Sequence, residues 1–309
     1  MLDLDQLRAL QAVAREGSLS RAAETLHLTP SAVSQRLTKL EKDIGQPLLQ
    51  PHGRTVQLTP AGQLLVLRAA EILSLVHRTH AELENHQGLV TGELSIAAFP
   101  TAIRGLLPPA LRSLARAHPE LQLHIHEQEP EQSLPLLTRS VVDVAVVQDW
   151  GSRPLPLPAD IQTRDLLHDT ADLALPAHHP LAHHASLRIT DVADEPWIAW
   201  TPGTLCHDWL LDTLRAHHHK PRIAHTAAEY PTQLALVRAG LGIALTPRLG
   251  RDHVPDDVAV VPVRPAPIRH IYAAYRHDDE QRPTIQAALT ALHDAAAQAR
   301  TRHRWEPSN

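Results

Sequence analysis

The sequence predicts a multidomain α/β protein, with a small helical domain and a hairpin first, one long helix next, and two α/β lobes last. Three patterns predict this order. Residues 18–45 read as two short helices around a tight turn, residues 60–85 keep a heptad spacing of apolar positions, and strands alternate with helices after Gly92. Such changes in hydrophobic period along a chain indicate changes of domain.

Composition limits the class of protein. The chain has 309 residues, enough for two or three domains, and its 43% hydrophobic and 20% charged residues are ordinary for a globular protein. Its apolar runs have the length of strands, and its N-terminus lacks the basic-then-apolar pattern of a secretory signal. The single cysteine, Cys206, excludes an internal disulfide. We therefore expect a cytoplasmic protein with no membrane contact.

The first elements are helical. A helix is predicted from about Leu4 to Arg15, and Gly17 ends it because glycine adopts positive φ without strain. The helix pair follows, and its second helix starts at Thr29-Pro30, where threonine suits the N-cap and proline the first helical position. An apolar stripe then holds this helix on its scaffold: Val33, Leu37, Leu40 and Ile44.

The opposite face of this second helix is polar. Hydroxyl, amide and ammonium groups that point outward suit hydrogen bonds to phosphates and base edges, so the helix fits the DNA major groove. Taken alone, such a helix pair is more often plain scaffold than a DNA reader. The net charge of −5 further requires that any nucleic-acid surface be local. The outward residues are Ser31, Ser34, Gln35, Thr38 and Lys39.

A hairpin is predicted next, over residues 47–58, because two short extended runs flank His52-Gly53. A hairpin in this place would lie over the adjacent groove as a wing. Arg54 at its tip is placed for a phosphate contact.

Thr59-Pro60 repeats the cap signature and opens a long helix to about Asn85. Apolar positions recur along it in alternating steps of four and three, so we expect the helix to pair with a second copy of itself. The alternative is a helix packed on its own domain, because three heptads are the lower limit for assigning a coiled coil. The predicted dimerisation residues are Leu65, Ala69, Ile72, Val76 and Leu83, with Thr79 at the same spacing.

Beyond Gly92 the chain predicts two α/β lobes with strands exchanged between them. Strands that alternate with helices indicate parallel sheets, and such sheets bind ligands outside the carboxyl ends of their strands. The cleft between the lobes is therefore the candidate ligand site. The predicted strands are 94–99, 121–127, 141–147, 171–175, 197–200, 223–227, 242–245, 258–263 and 268–275, and the predicted helices are 103–117, 131–140, 205–217, 232–239 and 284–300.

Several separate motifs follow one another in a specific order. They are Gly17-Ser-Leu-Ser-Arg-Ala-Ala23, Ser31-Ala-Val-Ser-Gln-Arg-Leu37, Leu40-Glu41, Gly53-Arg54, Leu58-Thr-Pro-Ala-Gly62, Leu106-Leu-Pro108 and Leu236-Val-Arg-Ala-Gly-Leu-Gly-Ile-Ala244. With these motifs the chain resembles the LysR-type transcriptional regulators over essentially its full length. The resemblance implies a homo-oligomer, a dimer or a tetramer, that binds double-stranded promoter DNA.

The resemblance also implies domain boundaries and a fold class. The fold is α/β and multidomain: an N-terminal winged helix-turn-helix, a long linker helix, and a two-lobed effector domain like periplasmic binding proteins. The expected ranges are 1–60 for the DNA-binding domain, 61–88 for the linker and dimerisation helix, and 89–309 for the effector domain, with lobe I over about 89–164 and 265–303 and lobe II over about 165–264.

By the same resemblance, base and phosphate contacts fall on the second helix and the wing. Two departures from the family pattern indicate a changed or weaker DNA footprint: Pro30 stands where a glutamine is common, and Pro51 stands where an arginine is common. The implied DNA-binding residues are Thr29, Ser31, Ser34, Gln35, Arg36, Lys39 and Arg54.

The implied effector site uses four segments that converge at the cleft. Each segment can equally be an ordinary loop, but their convergence favours contact with a ligand. The loop at 200–204 leads into a helix N-terminus, which favours an anion, and the aromatic candidates fit a flat or partly apolar molecule. Phe99 stands where the family often has a small hydroxyl residue. The implied residues are Phe99, Pro100, Thr101, Gln148, Asp149, Trp200, Thr201, Thr204, Glu229 and Tyr230.

Other chemistry has weaker support. The chain has 23 histidines, densest at 178–184 and 217–219, but no His-Glu-x-x-His or paired-cysteine pattern, so we expect neither a metal nor a cofactor. Cys206-His207-Asp208 has the residue types of a catalytic triad, yet three consecutive side chains cannot converge as a triad requires. We therefore expect no enzymatic activity.

Two functions remain. The favoured one is a sequence-specific transcriptional regulator controlled by a small-molecule effector between the lobes, which also contacts RNA polymerase if it is an activator. The alternative is a cytosolic solute-binding or enzymatic α/β protein whose N-terminal helices serve only dimerisation.

Overall fold

The computed structural model describes residues 2–26, 28–52, 55–85, 90–216, 220–251 and 253–302. The chain divides into two compact units. The N-terminal unit comprises Met1–Leu83 with the short segment Arg139–Val141, and the C-terminal unit comprises Glu84–Thr138 with Val142–Asn309.

The N-terminal unit begins with three helices, α1 (Leu4–Glu16), α2 (Leu19–Thr25) and α3 (Pro30–Ile44). The alanines of α2 leave room for the other two helices to approach, and the apolar stripe of α3 faces the same interior, as its spacing predicts. The fully or nearly fully buried residues of these helices are Leu7, Ala9, Leu10, Ala12, Val13, Ala22, Ala23, Val33, Leu37 and Leu40.

Both ends of α3 are fixed by local chemistry. The Thr29 hydroxyl accepts the Ala32 amide at 3.2 Å, and Pro30 occupies the first turn, where no amide hydrogen is needed. Gly45 ends the helix with φ of +81°. Glu41 then accepts the backbone amides of Leu48 and Leu49 at 2.8 and 3.1 Å, which ties the end of α3 to the following hairpin.

The hairpin consists of strands β1 (Leu49–His52) and β2 (Thr55–Leu58), paired antiparallel with Leu49 opposite Leu58. Helix α4 (Pro60–Asn85) follows directly. Gly62 in its first turn lies so close to the hairpin that a Cβ would sit 2.1 Å from the Leu48 carbonyl oxygen. Any side chain at this position would therefore push α4 off the hairpin.

The C-terminal unit is built on a seven-stranded sheet. Its strand order is β10-β6-β11-β5-β3-β4, with β9 also paired to β6, and a separate two-stranded sheet joins β7 to β8. The strands of the two sheets together are β3 (Gly92–Ala98), β4 (Leu121–Glu127), β5 (Val144–Trp150), β6 (Ile161–Pro176), β7 (Pro196–Ala199), β8 (Arg222–Thr226), β9 (Ala244–Pro247), β10 (Val258–Pro262) and β11 (Ile268–Arg276).

Helices cover the faces of these sheets, as alternating strands and helices predict. They are α5 (Pro100–Gly105), α6 (Leu107–Ala117), α7 (Pro130–Thr138), α8 (Leu205–Ala216), α9 (Tyr230–Arg238) and α10 (Pro283–Arg302). None of the helices in the ranges that the structure describes combines the length and hydropathy that crossing a bilayer requires.

Strand β6 is the main difference from the expected arrangement. The sequence places a strand at 171–175, but β6 starts ten residues earlier, at Ile161. Its first part pairs with β11, and its last part, from Ala171, pairs with β9 and β10. The expected lobe boundary between residues 164 and 165 thus falls inside one continuous strand.

Candidate functional site

The polar face of α3 is exposed as the sequence predicts. Ser31, Ser34, Gln35 and Lys39 are all accessible to solvent on this face. The hydroxyls of Thr29 and Ser31 lie 3.0 Å apart at the helix N-terminus, where backbone amides and the helix dipole favour a phosphate. This surface can therefore contact a nucleic-acid backbone through its first turn and base edges through the next.

Arg36 and Arg54 differ from the other expected contacts. The Arg36 guanidinium lies 3.4 Å from the carboxylate of Asp5 on α1, so it is held beside the helix rather than extended from it. Arg54 lies outside the described residues, and so does the side chain of Pro51. Their roles in DNA binding stay predictions.

Helix α4 uses its expected dimerisation face within its own unit. Ala69 is fully buried, and Leu65 and Ile72 pack against the same core. For these three residues the contacts fit the alternative, a helix packed on its own domain. Val76 is half-buried and Thr79 exposed, whereas the side chain of Leu83 is outside the described residues. A pairing role for Val76 and Leu83 stays a prediction.

In the candidate cleft between the lobes, polar side chains gather around Arg269 of β11, which is 1% exposed. One guanidinium nitrogen donates to Gln148 at 2.8 Å and to the Thr101 hydroxyl at 3.2 Å, and the other pairs with Asp169. The guanidinium also lies 5.3 Å from the centre of the Phe99 ring. Thr101, Gln148 and Phe99 are thus brought together, as expected, but around an arginine that the sequence analysis missed.

Cys206 joins this cluster from α8. Its sulfur accepts hydrogen bonds from Gln148 and from the Trp150 indole, each at 3.4 Å. Burial raises the pKa of the Cys206 thiol to about 12, and the nearby charge of Glu129 adds to the effect. The thiol is therefore protonated at neutral pH and is a poor nucleophile.

Trp200 and Tyr230 form the aromatic side of the cleft. The Trp200 indole donates to the Tyr230 hydroxyl at 3.0 Å, and the rings meet edge to face at 5.9 Å. Both side chains are buried. Burial raises the pKa of Tyr230 well above its usual value, and the nearby Cys206 adds to the effect, so the phenol stays neutral.

The remaining expected residues lie apart from this cluster. Thr201 and Glu229 are exposed, and Thr204 caps α8 by accepting the His207 amide at 3.3 Å. Pro100 is half-buried in the first turn of α5. Asp149 follows Gln148 in β5, and because side chains alternate along a strand it points to the opposite face of the sheet.

Hydrogen bonds also join the two lobes through α8. Arg153, after β5, donates to Asp208 at 2.9 Å and also to Asp212, both on α8. Glu131 of α7 accepts the backbone amide of Leu205 at the start of α8.

Glu129 is a further cleft residue that the sequence did not indicate. Burial raises the pKa of its carboxyl from 4.5 to about 7, the negative charges of Glu131 and Glu127 raise it too, and Arg269 opposes them. Its position just before α7 has no motif of its own, so only the fold identifies it.

This pKa predicts a pH-dependent stability. The folded protein keeps the Glu129 proton up to about pH 7, whereas the unfolded chain loses it near 4.5, so the free energy of unfolding falls as the pH rises between these values. Glu129→Gln is expected to raise the free energy of unfolding by about 1–3 kcal/mol at about pH 8, and by much less at about pH 4.

Urea unfolding at both pH values checks this. Glu120→Gln is the matched control, since Glu120 is exposed just before β4 and does not contribute to the pKa of Glu129. Equal effects of Glu129→Gln at the two pH values would show that the carboxyl titrates normally.

The histidine clusters do not form a metal centre where the structure describes them. Within the described ranges, no group of three or more His, Cys, Asp or Glu side chains is arranged to hold a metal ion. The cluster at residues 217–219 lies outside those ranges.

Comparison with known proteins settles the family. The family model described as "LysR substrate binding domain" matches residues 87–297, which is more than half of the chain, and the one described as "Bacterial regulatory helix-turn-helix protein, lysR family" matches residues 4–63. The chain belongs to the LysR family. As a LysR-type protein it is a DNA-binding transcriptional regulator with an effector-binding domain, and the resemblance seen in its motifs is confirmed.

Individual LysR-type relatives agree with this assignment. The HTH-type transcriptional regulator YnfL of Escherichia coli K12, described as uncharacterized, is 31% identical over 80% of this chain and 82% of its own length. The regulator CysL of Bacillus subtilis is 26% identical over 83% of this chain and 85% of its own length.

Solved structures of LysR-type regulators share the fold. The crystal structure of CbnR aligns with a TM-score of 0.70 at 22% identity and covers 96% of this chain and 99% of its own. Full-length BenM aligns with a TM-score of 0.60 at 24% identity, with both chains fully covered. The expected fold class, a helix-turn-helix domain followed by a two-lobed α/β effector domain, is therefore confirmed.

Proposed function

We propose that a small-molecule effector binds in the cleft around Arg269 and that its binding controls how this regulator engages promoter DNA. The observation that supports the site is the meeting of polar side chains from separate segments of both lobes. In lobe I, Thr101 reaches it from α5 and Gln148 from β5, whereas Cys206 and Tyr230 reach it from helices of lobe II. The expected effector residues Thr201, Thr204 and Glu229 form the outer part of the same proposal.

The hydrogen bonds between the lobes suggest how an effector could act. An effector that replaced the contacts of Arg153 and Glu131 with α8 would change the spacing of the lobes. In an oligomer, this change would alter the separation of the two recognition helices on a dyad-related operator. An activator of this kind would also contact RNA polymerase.

We propose binding without conversion of the effector. Cys206 is buried and protonated, and its hydrogen bonds run to Gln148 and Trp150 rather than to a general base. His207 contacts Asp208 at 3.2 Å through its Nδ1, away from the sulfur partners. Because the regulator acts on promoter DNA, we place it in the cytoplasm, where the chromosome lies.

A paired substitution tests the effector site. Aromatic carboxylates and amines are screened for those that raise the Tm of the full chain and alter its footprint on the DNA upstream of its own gene. Tyr230→Phe removes the hydroxyl that Trp200 contacts, whereas Tyr275→Phe removes the hydroxyl of a buried tyrosine in β11 and is the control. An effector of the cleft is expected to lose at least about tenfold in affinity only with Tyr230→Phe. Equal affinity for both variants would place its site elsewhere.

We also propose a revised dimerisation face on α4. Leu64, Leu67 and Leu75 are exposed and share one side of the helix, about a third of a turn from Leu65 and Ala69. Three exposed leucines on one helix face indicate a surface that a partner covers. The partner we propose is a second copy of the same helix, because the family resemblance implies a homo-oligomer.

Charge on this face is expected to separate the dimer. Leu67→Glu with Leu75→Glu would bury unpaired carboxylates, which costs a few kcal/mol and weakens association on the order of 100-fold. Size-exclusion chromatography with light scattering measures the change. Gln57→Glu, at an exposed position of β2, is the control, and a dimer that survives both leucine substitutions excludes this face.

A further inference from the structure

A second cavity lies on the opposite face of the strands that carry the Arg269 network. Its volume is about 840 Å³, within the range of small-molecule sites. Its polar wall comes from β5, β6, β11 and α10, and its apolar wall from the loop after β5. The polar residues are Asp149, Thr163, Asp165, His168, His270, Tyr272 and Arg300.

The cavity and the Arg269 network lie on opposite faces of the same strands, and neighbouring residues of each strand point into one or the other. In each of β5, β11 and β6, one residue faces the Arg269 network and its sequence neighbour faces the cavity. The residues facing the network are Gln148, Arg269 and Asp169, and their neighbours facing the cavity are Asp149, His270 and His168, respectively. Cross-strand pairing sets His270 opposite both Asp149 and His168. A ligand held in the cavity would therefore touch the same three strands that hold the cleft network.

The cavity wall is organised around Asp149. Its carboxylate lies 3.3 Å from Nδ1 of His270, and it accepts the Tyr272 hydroxyl at 3.4 Å. Burial raises the pKa of the Tyr272 phenol, and the charge of Asp149 adds to the effect, so this hydroxyl remains a donor. The carboxylate is thus fixed at one end of the cavity.

Aromatic and apolar surface lies beside this carboxylate. The rings of His168 and His270 lie 4.5 Å apart and are tilted by 33°, which places two imidazoles side by side in the cavity wall. The pKa of His168 is lowered, mainly by burial and then by His270, so its ring is neutral at neutral pH. Leu157 in the opposite wall is a large apolar side chain that remains exposed.

The charges define the class of ligand. The lining carries two carboxylates, Asp149 and Asp165, and one guanidinium, that of Arg300, which donates to the Leu166 carbonyl. A carboxylate ligand would meet repulsion, whereas a planar cation would pair with Asp149 and stack on the imidazoles. We propose that this cavity is a second ligand site, specific for a planar organic cation such as an amidinium or a protonated aromatic amine.

A pair of probes of the same shape and opposite charge tests the proposal. Benzamidine and benzoate are titrated into the full chain by calorimetry and saturation-transfer NMR. Benzamidine is expected to bind with a Kd of about 1 mM or tighter, and benzoate at least tenfold more weakly. No saturation by benzamidine at about 10 mM, or equal affinity for the two probes, would overturn the proposal.

Variants locate the binding. Asp149→Asn is expected to weaken benzamidine at least about tenfold, whereas Asp160→Asn, an exposed aspartate before β6, leaves it unchanged. Leu157→Arg adds a positive charge at an exposed position and is expected to weaken benzamidine without disturbing the fold. Thr101→Val alters only the cleft, so loss of benzamidine binding in this variant and not in the cavity variants would refute the cavity as its site.

Discussion

Alanine in place of Arg269 is expected to lower the free energy of unfolding of the C-terminal unit by about 3–5 kcal/mol. The reason is the partner left behind: Asp169 is buried and would keep a negative charge without its guanidinium. Gln148 and the Thr101 hydroxyl would lose a hydrogen-bond donor at the same time. We expect no substitution of a single side chain elsewhere in the cleft to cost more.

Tryptophan fluorescence during urea unfolding measures this loss selectively. All five tryptophans follow residue 149 in the chain, so the signal reports on the C-terminal unit. Arg215→Ala removes an exposed arginine and is the control. Asp169→Asn keeps an acceptor for the Leu249 amide, and combined with Arg269→Met it is expected to recover part of the stability. An Arg269→Ala protein as stable as the Arg215→Ala protein would contradict a charge-paired core.

Alanine in place of Gln35 is expected to weaken operator binding by about tenfold to 100-fold. Gln35 is exposed on α3, and a glutamine on a recognition helix contributes about 1–3 kcal/mol through a base edge. Lys39→Ala, on the same face, is instead expected to weaken binding to all DNA sequences and to lower the slope of the salt dependence by about one. The two substitutions thus separate sequence reading from phosphate contact.

Fluorescence anisotropy with the DNA upstream of the gene, at several salt concentrations, checks both effects. Gln63→Ala is the control because Gln63 is an exposed glutamine of the same unit, on α4. Circular dichroism verifies that each variant is folded. If Gln35→Ala reduces operator binding no more than Gln63→Ala does, α3 does not read bases through this residue.

The N-terminal unit was predictable because its signals are local. The stripe at Val33, Leu37 and Leu40 and the cap at Thr29 specify α3 within fifteen residues of chain, and the structure shows both. The face of α4 was harder to assign. Its heptad spacing identifies an apolar stripe, but spacing does not say whether a stripe such as Leu65 and Ala69 packs on its own unit or on a second copy.

The cleft was predictable in part. Thr101 and Gln148 follow strands in the family pattern, but Arg269 has partners 100, 121 and 168 residues away, which only the sheet register brings together. An arginine within an otherwise apolar strand was the one signal available. Asp149 was placed in the cleft with its neighbour Gln148, although strand alternation puts adjacent residues on opposite faces.

Two elements of the C-terminal unit differ for local reasons. Residues 103–117 read as one helix, but the chain forms α5 and α6 with a break at Leu106, where Gly105 passes close to Gly250. The first half of β6 was missed because residues 162–165 are all polar, so this part of the strand shows no alternating apolar pattern.

The continuity of β6 bears on how new regulators of this kind can arise by recombination. A crossover near residue 164 would join two parental halves in the middle of one strand, and the ladders to β11, β9 and β10 would then have to match across the junction. Exchange of one lobe alone is therefore expected to give misfolded chimeras. A crossover in the connection before Gly92 divides no strand of the sheet. Recombination there can therefore replace the DNA-binding unit and keep the effector-binding unit intact.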